Sequence, residues 1–79
     1  METKRVVIRF EEYTQVQRTV EHIIECHEDY DENLLITELK LNYPNPAYDI
    51  LDAEILKEYD TDDEKQMCLL KETIKIIKR

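Results

Sequence analysis

Residues 12–30 read Glu12-Tyr-Thr-Gln-Val-Gln-Arg-Thr-Val-Glu-His-Ile-Ile-Glu-Cys-His-Glu-Asp-Tyr30, and the fold turns on the period of this stretch. Tyr13, Val16, Val20, Ile23, Ile24 and His27 recur at steps of three and four. That is the spacing of one apolar face of a helix. It predicts a first helix over 12–30, ended by the polar run Asp29–Asn33.

On the N-terminal side, residues 4–10 alternate. Val6, Ile8 and Phe10 share one side, and the run is rich in β-branched residues, which predicts a strand. On the C-terminal side, residues 34–43 also alternate. Leu35, Thr37, Leu39, Leu41 and Tyr43 fall on one face, while Glu38, Lys40 and Asn42 fall on the other. This pattern predicts a long, half-buried strand. Pro44-Asn45-Pro46 then breaks the element.

Residues 48–59 fit either period. As a helix, Asn45 would cap it and Tyr48, Leu51, Ile55 and Tyr59 would form the stripe. As a strand, Leu51, Ala53, Ile55 and Tyr59 would oppose Asp52, Glu54 and Glu58. Two strands alone make a poor platform, which favours the strand. Thr61-Asp62-Asp63-Glu64 has the grammar of a capped helix start, followed by a stripe of Met67, Leu70, Ile74 and Ile77.

The predicted architecture is a single α+β domain over residues 1–79. Its order is β-α-β-β-α, with two helices on one face of a three-stranded sheet. The alternative is β-α-β-α-α, with residues 46–59 helical.

Composition narrows the function. The chain has no glycine, so glycine-built phosphate loops cannot form, and positive-φ turns would fall to Asn33, Asn42 or Asn45. No apolar run approaches the roughly twenty residues of a membrane helix. Cys26 and Cys68 are too few for a disulfide scaffold. The expected setting is intracellular and cytoplasmic.

The net charge is −8, and it is segregated. Residues 1–10 hold three basic groups and one acid. Residues 11–64 hold seventeen acids against three basic groups, a local net of −14, and residues 65–79 hold five basic groups and one acid. A middle section of that sign argues against direct contact with nucleic acid or an anionic membrane.

Five groups of residues invite a functional reading. The first is a carboxylate ladder, Glu21, Glu25, Glu28 and Glu32, extended by Asp29 and Asp31. On a helix it would line one flank and imitate a phosphate backbone; the plain alternative is a solvated face. The second is the acidic run from Asp49 to Glu64, with Asp52, Glu54, Glu58, Asp60, Asp62 and Asp63, relieved only by Lys57.

The third is His22, Cys26 and His27, too few ligands for a zinc site, so no metal or cofactor is expected. The fourth is Cys26 with His22 as nucleophile and base. No orienting group or oxyanion hole accompanies the pair, so no catalytic residue is assigned and no enzyme is expected. The fifth is Leu69 with Ile76, an apolar patch off the main stripe of the last helix and a candidate homodimer contact.

The order of elements and the start Thr61-Asp62-Asp63-Glu64-Lys65 resemble the DinI group of recombinase-modulating proteins. No residue role or activity is carried over from that overlap. The composition is also that of small acidic proteins of mobile elements, anti-CRISPR proteins among them.

The expected function is a small acidic protein that binds and inhibits or modulates a basic nucleic-acid-binding protein, of nuclease, recombinase or polymerase type. It would act through a phosphate-mimicking carboxylate surface. The alternatives are a self-associating assembly module, joined by the Leu69–Ile76 patch or an open sheet edge, and an antitoxin-like partner of a basic toxin.

Overall fold

The computed structural model of the chain describes residues 2–13, 16–60 and 68–77. Two long strands come first, β1 (Thr3–Tyr13) and β2 (Val16–His27). A helix, α1 (Glu32–Asn42), follows, and then β3 (Ile50–Asp60) and β4 (Cys68–Ile77). The strands form one sheet in the order β3-β2-β1-β4, every neighbouring pair antiparallel. This replaces the expected β-α-β-β-α domain, and its β-α-β-α-α alternative, with a four-stranded sheet and one short helix among the described residues.

The predicted first helix is a strand. Val20 and Ile24 lie four apart and satisfy both periods, so apolar spacing alone does not decide between them. The β-branched set Val16, Thr19, Val20, Ile23 and Ile24 favours the extended chain. Pairing with β1 settles the choice. Val6 faces Ile24, Ile8 faces His22 and Phe10 faces Val20, so the alternating apolar side of β1 meets a matching side of β2. His22 and Cys26 complete that side.

The predicted strand over 34–43 is a helix instead. Its leucines, glutamates and lysine are strong helix formers. Asp31 caps the start, its side chain accepting the Asn33 N–H at 2.9 Å. Leu35 and Leu39, one turn apart, are buried, while Leu34 and Leu41 face solvent. The burial therefore follows a step of four, not two. Each buried leucine contributes about 1.5–3 kcal/mol. No described residue has positive φ, so Asn33, Asn42 and Asn45 do not serve as left-handed turns.

Residues 50–60 are a strand, but β3 pairs with β2 and not with residues 34–43. At the C-terminal end, Cys68–Ile77 is β4 in place of the expected last helix. Its β-branched Thr73, Ile74, Ile76 and Ile77 suit a strand, and β1 offers the pairing edge. The expected helix start at Thr61–Glu64, and with it the resemblance through residues 61–65, lies outside the described residues.

The helix covers one face of the sheet. Under it Val6, Ile8, Phe10, Val20, Ile24, Leu35, Leu39 and Leu69 form the core, edged by Cys26, Tyr43, Tyr48, Ile74 and Ile76. Among the strands, α1 approaches β4 most closely, so it roofs the β1–β4 half of the sheet. Among the described residues no helix roofs the β3 side. No helix among the described residues is long and apolar enough to cross a membrane.

Candidate functional site

The carboxylate ladder is taken apart by the β1–β2 hairpin. Glu21 sits in mid-strand on the face away from the helix and is only 1% exposed. Arg9, its partner across the strands, donates to it through Nε at 3.0 Å and Nη2 at 2.7 Å. Glu25 is half-buried and accepts from the Thr3 hydroxyl at 3.1 Å. Glu28 and Asp29 are exposed in the turn after β2. Glu32 opens the helix and lies 3.6 Å from the Lys4 ammonium. Only Glu21 and Glu25 share a face, the open side of β2, and three of the four glutamates meet donors from β1.

The charge segregation has the same origin. The basic N-terminal stretch becomes the strand beside the acidic one. Arg5 faces Glu25, Arg9 faces Glu21, and Glu12 faces Arg18, which ion-pairs with it at 3.1 Å. Opposite charges across an antiparallel pair each contribute roughly 0.2–1 kcal/mol. The position numbers of each of these pairs add up to a constant, which is the signature of a hairpin. That signal was available in the sequence and is independent of hydrophobicity.

His22 and Cys26 lie on the core face of β2, and His27 is exposed at its end. The His22 Nδ1 is 2.8 Å from the Tyr48 hydroxyl, and its ring meets Phe10 edge-on. Burial lowers its pKa below the usual 6.5, against the opposing pull of Glu12. Burial likewise raises the Tyr48 phenol. Tyr43 donates to Glu12, and its phenol is raised by burial first and by that carboxylate second. These groups tie the 43–48 connection down onto the sheet. Among the described residues, no three His, Cys, Asp or Glu side chains are grouped to hold a metal ion.

Leu69 and Ile76 point into the molecule. Leu69 is a core residue 8% exposed, and Ile76, opposite Ile8, is half-buried against the same core. The proposed apolar patch of a final helix therefore does not exist, because the strand turns both side chains under α1.

What remains exposed is β3. Residues Ile50–Tyr59 are all solvent-exposed. They include Ile50, Leu51, Ile55, Leu56 and Tyr59, each between 41% and 51% accessible. The pairing with β2 fixes their faces. Ala53, Ile55 and Glu58 lie opposite His22, Val20 and Arg18, on the helix side. Asp52, Glu54, Lys57 and Tyr59 lie opposite Ile23, Glu21, Thr19 and Gln17, on the open side. The register slips at Leu56 and again at Leu51.

The far edge of β3 pairs with no other strand among the described residues. Among these residues no ion pair reaches Asp49, Asp52, Glu54 or Glu58. Asp60 ends the strand, and Asp62 and Asp63 lie outside the described residues. The site is thus an uncovered, apolar and acidic edge strand. Sequence reasoning named its acids but missed its hydrophobic residues, because a strand pattern normally implies one buried face.

No family model matches the chain, and neither a curated protein nor a solved structure matches it.

Proposed function

We propose that this protein is a binding module that recognises another polypeptide by strand addition to β3, and that it is not an enzyme. The observation that carries this reading is the combination on one strand of five exposed large hydrophobic residues with an edge that pairs with no other strand, and carboxylates that meet no cation, among the described residues. A long, exposed apolar edge is a liability in an isolated domain, and proteins normally blunt it with bulges, prolines or inward charges. Where it is kept, it fits strand addition. Main-chain hydrogen bonds then supply affinity and alternate side chains supply selectivity.

The incoming strand has to satisfy two demands. It must bring apolar side chains to Ile55 and Leu56, and cationic ones to the open side beside Asp52 and Glu54. A labelled peptide alternating valine and lysine tests this directly. Its affinity should fall as salt rises, and the double substitution D52K/E54K should abolish binding. Equal binding by that variant removes the reading.

A second reading names the partner as a basic nucleic-acid-binding protein, inhibited by occupation of its basic surface. It is supported by the exposed acids Asp49, Asp52, Glu54 and Glu58, which all belong to β3 or its approach. The contact residues change accordingly, from the ladder at 21–32 to this strand. Competition by duplex DNA for the captured partner is the expected result, and indifference to DNA counts against it.

A further inference from the structure

We propose that the strand added to β3 is β3 of a second copy, paired antiparallel about a two-fold axis at Ile55, so that two four-stranded sheets become one of eight strands. This rests on the reading of β3 as the contact and names its partner.

The argument is one of register. Opposite residues in an antiparallel pair lie on the same face, so a self-pairing must match open-side residues with open-side residues. The open set is Asp52, Glu54, Lys57 and Tyr59, and the helix-side set includes Ala53, Ile55 and Glu58. Leu56 is the extra residue at the slip.

With the axis at Ile55, the two copies of that side chain meet each other. Glu54 of each copy then faces Lys57 of the other, Asp52 faces Tyr59, and Ala53 faces Glu58. No two like charges stand opposite one another. An axis at Glu54 would set that carboxylate against its own copy, and an axis at Ala53 would oppose Asp52 to Glu54. Charge thus selects one register.

The selected register uses the only cation of the strand twice. It also covers Ile55 on the side that α1 does not roof. A C2 contact of this kind is self-complementary and closes, so it yields a dimer and not a fibre. The net charge of −8 on each copy opposes the encounter over distance. Salt screens that repulsion within about 8–10 Å. The self-pairing therefore persists as salt rises, whereas capture of a basic partner weakens.

Sedimentation velocity of the full chain over a concentration series, at low and high salt, is the test. The wild type should dimerise. Glu54→Lys and Lys57→Glu should each raise the dissociation constant by about tenfold or more, since each places two like-charge pairs across the axis. The double variant E54K/K57E restores opposite charges and should return to within about threefold of wild type. Both positions are exposed, and circular dichroism at low concentration confirms that each variant folds.

A wild type that stays monomeric at about 1 mM, the weakest limit of specific association, overturns the proposal. So does a dimer indifferent to the charge reversals, or a double variant no tighter than the singles. The valine–lysine peptide separates the two levels of the argument. A monomer that still binds it through Asp52 and Glu54 overturns self-pairing alone, while a monomer that ignores it overturns β3 as the contact.

Discussion

The sheet has two edges, and they are built in opposite ways. β4 lies under the helix. Leu69 is buried, Ile74 and Ile76 pack on the core, and the register to β1 breaks between Arg9 and Glu11. In that break Thr73 turns inward, its hydroxyl accepting the Glu11 N–H at 2.9 Å and donating to the Leu70 carbonyl at 2.6 Å. A broken, partly buried strand is a poor template for another chain. Among the described residues β3 has no helix above it, and it presents its apolar residues to solvent along its length. Both edges belong to the same sheet, so pairing alone does not explain the difference. The position of α1 does, because an eleven-residue helix roofs only one side of a four-stranded sheet.

The comparison can be broken most sharply by the same kind of substitution on each edge. Leu69→Ala should cost about 2–5 kcal/mol, as buried leucines do. Ile55→Ala should cost under about 1 kcal/mol at dilutions where the chain is monomeric, because half of that side chain is already in water. Urea denaturation of both variants checks this, and equal losses would erase the distinction.

A second pair of variants contrasts the two glutamates that face each other across β2 and β3. Glu21→Gln removes a buried charge-assisted bond to Arg9 and should cost about 1.5–3 kcal/mol. Glu54→Gln, on the exposed edge, should stay within about 0.5 kcal/mol.

The smallest effect concerns β2, the strand that holds β3. His22 is depressed by burial below its unfolded value of 6.5. The unfolded chain therefore takes up the proton first as pH falls. The His22 contribution to stability is in place above that value. It is lost progressively as pH drops from 6.5 toward the folded pKa. Denaturation midpoints at pH 7.5 and 5.5 should differ less in His22→Gln than in wild type.

The strand over residues 4–10 was legible because Val6, Ile8 and Phe10 alternate and fit no helical face. The strand over 16–27 was not. Its buried face mixes Val20 and Ile24 with His22 and Arg18, so the alternation is hidden among polar residues, while Val16, Val20 and Ile23 mimic a helix. The charge register of Arg5, Arg9 and Glu12 against Glu25, Glu21 and Arg18 carried the missing information. In residues 34–43 Leu35, Thr37, Leu39, Leu41 and Tyr43 suggest period two, yet of these only Leu35 and Leu39 are buried. Capping by Asp31 was the better guide there. For the site, the acids of residues 49–60 were legible as charge. Their placement on an unroofed edge depends on where α1 lies, and no local pattern encodes that.

The strand order β3-β2-β1-β4 has a consequence for synthesis. The first of the four strands to leave the ribosome ends up in the interior of the sheet, and its outer neighbour is the last of the four to be made. Until residues 68–77 emerge, β1 is itself an open edge, and it carries Val6, Val7, Ile8 and Phe10, the most apolar run of the sheet. A nascent chain stalled before that point leaves that run without its outer neighbour. Pairing with β4 removes that open edge.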